Sequence, residues 1–186
     1  MYTQMTLAEL VECCRAGDEG AVEALVSAYQ GRVYRLALTI LDDPAEADEA
    51  AQDALVSALN ALGAYRGEAA FTTWLYAITV NACRRRLRQR RTRERLQHAL
   101  QAVFRVRGGA GTPEDRAAQH ESGTALWRAV NALGEKHRLP VILRYYHEMP
   151  VAEIAEVLGL SEGTVHSRLF TARERLRAAL QGKVEL

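Results

Sequence analysis

Residues 151–180 read VAEIAEVLGLSEGTVHSRLFTARERLRAAL. Val151, Ile154, Ala155 and Leu158 recur at the i, i+3, i+4, i+7 spacing of a helix with one apolar face. Gly159 supplies a tight turn, Leu160 plugs the corner, and Ser161 stands where the next helix needs an N-cap. Val165, Leu169, Ala172 and Leu176 form the buried stripe of that second helix. Two short helices about a glycine turn, the second capped and polar on its outside, describe a helix-turn-helix. With Val165 at the buried centre, steps of about 100° per residue put Gly163, Ser167, Phe170 and Thr171 on the outer face. Thr164 and His166 flank it. Such a face meets base edges in a DNA major groove, with Arg168, Arg173 and Arg175 near phosphates.

Composition extends the helical reading to the whole chain. Of 186 residues, 48% are hydrophobic and only 6% aromatic, and Ala, Leu, Arg and Glu dominate over strand formers. The expected fold is all-α: two small helical domains joined by a flexible linker, the C-terminal one containing the helix-turn-helix. No apolar stretch approaches the ~18–20 residues that span a bilayer, and no charged-then-apolar leader opens the chain. No membrane insertion and a cytoplasmic setting are therefore expected. Cys13 and Cys14 are adjacent and Cys83 lies far off, with no Cys or His spacing suited to zinc. No metal and no cofactor are expected, and the thiols read as small core residues in a reducing compartment.

A formal charge of +1 conceals a strong asymmetry. Residues 1–83 carry four basic and twelve acidic side chains, while residues 84–95 carry eight arginines and one glutamate. Arg outnumbers Lys 22 to 2, which suits bidentate phosphate contact. An acidic helical block is thus followed at once by an arginine cluster.

Periodicity divides the remainder. Leu7, Leu10, Val11 and Cys14 mark a first short helix ended by Gly17, and Asp18 can cap a second running to Ile40. Pro44 fits the first turn of a third, capped by Asp42 or Asp43, with Ala47, Ala51, Ala54, Leu55, Ala58, Leu59 and Leu62 on one side. Residues 63–70 read as a loop. A fourth helix starts near Phe71 and ends in the arginine cluster. Residues 105–123 have linker composition, and helical spacing resumes at Leu126, with Pro140 tolerable only in a first helical turn. The boundaries are set at 1–95, 96–122 and 123–186.

AEIAEVLGLSEGTVHSRLFTARERL resembles the domain of bacterial sigma factors that reads the upstream promoter element, their region four. VYRLALTILDDPAEADEAAQDAL and YRGEAAFTTWLYAITVNACRRRLRQRR are similar to sigma region two. Two such domains with only a short linker look like the extracytoplasmic-function (ECF) group. The resemblance covers the chain apart from residues 96–122.

It implies a non-catalytic subunit that binds core RNA polymerase, recognises the −35 and −10 elements of promoter DNA and promotes opening, usually under an anti-sigma factor. The polymerase-docking positions would be Asp48, Glu49, Gln52 and Asp53, within a window, 42–53, holding six acids and no base. The family's usual Asp-Val-Val-Gln-Glu is here Glu-Ala-Ala-Gln-Asp. Tyr65, Arg66, Gly67 and Glu68 would form the loop that captures a base from the opening duplex at the downstream element. Phe71 and Trp74 stand by it for stacking, although Trp74 also fits the core. Asn81 would add a hydrogen bond, and the arginines from Arg84 to Arg95, among them Arg84, Arg85 and Arg88, would hold phosphates. The upstream element would fall to Gly163, Thr164, His166, Ser167, Arg168, Phe170, Thr171 and Arg173. His166 and Thr171 stand where the family commonly carries basic residues. Two competing readings keep the same sequence: a stand-alone helix-turn-helix regulator, which would need neither the acidic helix nor the loop, and a helical enzyme, for which no convergent acid–base pair is visible.

Overall fold

The first three helices each begin at a side chain that takes up one of the unpaired backbone N–H groups. The computed structural model describes Tyr2, residues 5–105 (backbone alone for 99–105) and residues 125–181. In α1 (Leu7–Arg15) the Thr6 hydroxyl accepts from the Glu9 N–H, and the Glu9 carboxylate accepts from the Thr6 N–H at 2.8 Å. Asp18 opens α2 (Glu19–Leu41) by accepting from the Ala21 N–H at 3.0 Å. At the next junction the two aspartates divide the work. Asp42 closes α2 in the left-handed conformation, φ 55°, while Asp43 caps α3 (Pro44–Ala61) at the Glu46 N–H, 2.9 Å away.

The buried face of α3 is built from Ala47, Ala50, Ala51, Ala54 and Ala58. Small side chains there let α3 lie close against both α2 and α4 (Phe71–Arg105). A 3₁₀ turn, Leu62–Ala64, leads from α3 into the loop. The helix α4 runs on through Arg105, ten residues into the segment 96–122 set as the linker. Residues 106–122 of that stretch lie outside the described residues.

The C-terminal half contains α5 (Ala125–Asn131), α6 (Glu135–Val141), α7 (Val151–Leu158) and α8 (Glu162–Gln181). Pro140 does not occupy a first helical turn. It lies near the end of α6, and the chain after it widens into a π turn, Ile142–Tyr146. Proline offers no N–H and its ring crowds the carbonyl four residues back. The wider turn re-forms the bonding on the far side, where Ile142 N–H reaches both the Arg138 and Leu139 carbonyls.

Two apolar clusters hold the chain together. One joins Leu10, Val11, Leu25, Leu62, Phe71 and Leu75 within the N-terminal half. The other runs from Leu36, Ile40, Val80 and Cys83 into Ile142, Leu143, Ile154, Val165 and Leu169, so the two halves share a core. Polar contacts reinforce that seam. Asp42 accepts from Asn131 Nδ2 at 2.9 Å and from Trp127 Nε1 at 3.4 Å, and Thr73 donates to Glu153 at 3.0 Å. All three cysteines are free, and burial pushes the Cys83 thiol up to about 12, leaving it inert as a packing residue. Among the described residues no strand occurs, and no helix is long and apolar enough to cross a membrane.

Candidate nucleic-acid interface

The helix-turn-helix forms from adjacent residues. Gly159 closes α7 with φ 65°, a conformation open to glycine, and the Ser161 hydroxyl accepts from the Thr164 N–H at 3.3 Å. Val165, Leu169 and Ala172 are buried, which turns Gly163, His166, Ser167, Phe170 and Arg173 outward into solvent. Phe170 is 60% exposed, a phenyl ring open to a thymine methyl. Thr164 and Thr171 are half-buried, and the Thr171 hydroxyl donates to the Ser167 carbonyl at 3.0 Å. Arg168 is set apart. It is half-buried and lines a groove with Arg84, Glu135 and Leu139, away from the outer face of α8.

On α3, Asp48, Glu49, Gln52 and Asp53 are all exposed along one face. Gln52 Nε2 donates to Asp48 at 2.9 Å. Arg86 of α4 reaches across to Glu49 and, at 2.9 Å, to Asp53. The hydrogen bond from Arg86 to Asp53, then the charges of Asp53 and Glu49, raise the pKa of Arg86 above its ordinary value. Arg90 lies 3.9 Å from Glu46.

These pairs divide the arginine cluster by helical row. Ala82, Arg86 and Arg90 continue one row, buried at its start, so its arginines meet the acids of α3. Arg84 and Arg91 pair instead with Glu135, at 3.3 and 3.5 Å. Arg85, Arg88, Arg93 and Arg95 are exposed without an ion pair to a described residue, and Asn81 is exposed on the row that leads to Arg85 and Arg88. Arg84 contacts Asn81 Oδ1 at 3.4 Å. Arg86 and Arg90, expected with the rest of the cluster on phosphates, are instead turned to the acids of α3 by the row through buried Ala82, and Glu135 is a partner that sequence reasoning missed.

Around the loop, Phe71 is 3% exposed beneath Tyr29, Tyr65 and Trp74, whose ring centroids lie 5.0, 5.3 and 5.4 Å from its own. Phe71 is therefore the packed floor of an aromatic cluster and not a stacking platform. Tyr65 and Trp74 are half-buried over it, 5.1 Å apart, and keep some open surface. Arg66, Gly67 and Glu68 are exposed, with Gly67 at φ 75°.

An acidic helix face, an open loop over aromatic rings, exposed arginines and a helix-turn-helix thus lie on one chain. Comparison with known proteins agrees. The family profile for Sigma-70 region 2 matches residues 25–93 and that for Sigma-70, region 4 matches residues 124–176. RNA polymerase sigma-H factor of Pseudomonas aeruginosa is 35% identical, the alignment covering 97% of each chain. The ECF RNA polymerase sigma-E factor of Escherichia coli is 33% identical over 100% of this chain and 97% of its own. Among solved structures, CnrH in complex with the cytosolic domain of CnrY superposes with a TM-score of 0.66 at 25% identity, covering 94% of this chain and 96% of that one.

The chain belongs to the ECF group of the sigma-70 family: it is a sigma subunit that directs core RNA polymerase to promoter DNA. Sigma factors are not enzymes. The region 2 match removes the stand-alone regulator, which has no use for that half.

Proposed function

We propose that α3 is the polymerase-docking element, through Asp48, Glu49, Gln52 and Asp53. In this reading residues 1–95 dock and open DNA, residues 96–122 join the halves, and residues 123–186 read the upstream element. The loop Tyr65, Arg66, Gly67 and Glu68 takes a base of the −10 element over Trp74. Asn81, Arg85 and Arg88 follow the downstream strand, with Arg84 held beside them by Glu135. Gly163, Thr164, His166, Ser167, Phe170, Thr171 and Arg173 meet the −35 element, with Arg168 nearer the seam. We further infer a cytoplasmic site of action, where polymerase and promoters are, and an anti-sigma factor as regulator, as membership of the group implies.

The carrying observation is the exposed acidic face of α3, a charge pattern complementary to a basic partner surface. Changing Asp48, Glu49 and Asp53 together to Lys sets like charges against that surface and costs several kcal/mol of affinity. It also sets Lys against Arg86, where the lost surface pairs are worth only about 0–1 kcal/mol each. Asp48→Lys alone disturbs no contact with Arg86 and serves as the control for folding. The triple variant stays helical by circular dichroism but fails to co-purify with core polymerase and fails in promoter-dependent run-off transcription. Wild-type affinity in a folded triple variant removes these residues from the docking site.

A further inference from the structure

We infer that Arg15, on the first helix, is a positioning residue that sets the shape of the downstream-element loop, and through it the base selectivity of promoter opening. Arg15 lies before residues 25–93, the stretch that the region 2 profile matches, and nothing in the loop's own sequence points to it. The inference rests on the proposed reading of residues 65–68 as the base-capturing loop.

The contacts are specific. Arg15 Nε donates to the Leu62 carbonyl at 3.2 Å, and Nη2 donates to the same oxygen at 3.0 Å and also to the Tyr65 carbonyl. Leu62 opens the 3₁₀ turn and Tyr65 follows it, so one guanidinium grips both ends of that turn. The turn closes on itself through Tyr65 N–H to the Leu62 carbonyl, 3.2 Å. Past the turn, the Tyr65 hydroxyl donates across the loop to the Ala69 carbonyl at 2.9 Å. The chain is thereby held on both sides of Arg66, Gly67 and Glu68, which alone stand exposed between the two fixed points.

Arg15 is in turn held in place. Its Nη1 pairs with Glu12 one turn back, the Thr6–Glu9 capping box fixes the start of α1, and Leu10 and Val11 bury the helix against Leu62 and Phe71. The side chain is 29% exposed, so its charge stays partly hydrated while its donors face the loop. A planar guanidinium fork suits a two-point brace, because several N–H groups in fixed geometry can serve two carbonyls at once. The Lys ammonium is instead a point charge on a flexible stem. A loop already ordered in its binding shape gives up less freedom when a base enters. Residues 66–68 can then discriminate bases by position as well as by composition.

The test uses full-length protein in holoenzyme with core polymerase. Run-off transcription is measured on promoters altered one base at a time in the −10 element, and separately in the −35 element. Arg15→Ala reduces discrimination among −10 variants by about tenfold, the scale of losing one charged hydrogen bond, and leaves −35 discrimination unchanged. Arg15→Lys restores the thermal midpoint of the free protein but recovers little of the −10 discrimination. Full recovery by Lys, or wild-type discrimination in Arg15→Ala, overturns the assignment. Glu68→Ala and Arg66→Ala, run in parallel, separate the two levels. If they alter −10 discrimination while Arg15→Ala does not, the loop reads DNA without this brace. If none of the three alters it, the loop reading itself has failed and the assignment to Arg15 falls with it.

Discussion

The recognition helix and the downstream loop are assembled in opposite ways. The outward face of α8 is set by neighbours in sequence: Gly159 makes the turn, Ser161 caps the helix and Val165 anchors it. The loop at 65–70 is shaped from far away, by Arg15 at sequence separations of 47 and 50 residues and by Tyr29 of α2 against buried Phe71. A reader built on a helix presents its side chains with fixed spacing and can change specificity one residue at a time. A loop that reads DNA as proposed would tie its specificity to a brace such as Arg15, set outside the loop itself.

The sharpest way to strain this contrast is to loosen the core that both halves share. Ile154 is fully buried on α7 and belongs to the cluster that continues into Leu36, Ile40 and Val80. Ile154→Ala is expected to cost about 2–5 kcal/mol in denaturant unfolding, transfer and cavity contributions together. A cost under about 1 kcal/mol, the range of a surface change, contradicts a shared core at this seam.

A smaller effect is expected at Arg173, exposed on α8 beyond Phe170. Arg173→Ala should weaken holoenzyme binding to all −35 variants alike and reduce the salt-dependence slope by about one, as for loss of a single phosphate contact. A change confined to particular bases moves Arg173 from the phosphate set to the base-reading set.

The smallest effect concerns pH. His147 packs against Tyr76 of α4, ring centroids 5.9 Å apart, and its Nε2 is buried without a hydrogen-bond partner. Burial first, then the charge of Arg35, lower its pKa to about 4 from 6.5. Above pH 6.5 the ring is neutral in both folded and unfolded chains. Between 6.5 and 4 the unfolded chain binds the proton and the folded one does not, so stability falls as the pH falls through that window. Thermal midpoints measured across it should drop in the wild type and drop less in His147→Phe. Equal slopes for the two proteins exclude His147 from the seam's pH response.

The same contrast explains what can be read from the chain alone. The caps at Asp18 and Asp43, the glycine turn at 159 and the outer face of α8 all follow from residues a few positions apart. The end of α4 does not, because the charge pattern changes at residue 95 while the backbone structure continues. Leu96, Gln97, Ala99 and Leu100 are good helix formers and carry the helix on to Arg105. Pro140 misleads because the π turn after it satisfies the backbone in a way that local rules for proline do not anticipate. The contacts of Arg15, the burial of Phe71 and the partners of Arg86 on α3 depend on helices brought together by the core; spacing within α4 gives the row of Arg86, through buried Ala82, but not the acids it meets.

The central claim is that one chain carries two separable promoter readers. Holoenzymes with Phe170→Ala or Glu68→Ala, transcribing promoters altered in a single element, test it most directly. Phe170→Ala should lose about 1–3 kcal/mol of discrimination among −35 variants and none among −10 variants. Glu68→Ala should show the reverse pattern. If either substitution changes selectivity at both elements equally, or at neither, the assignment of these two surfaces to two promoter elements is wrong.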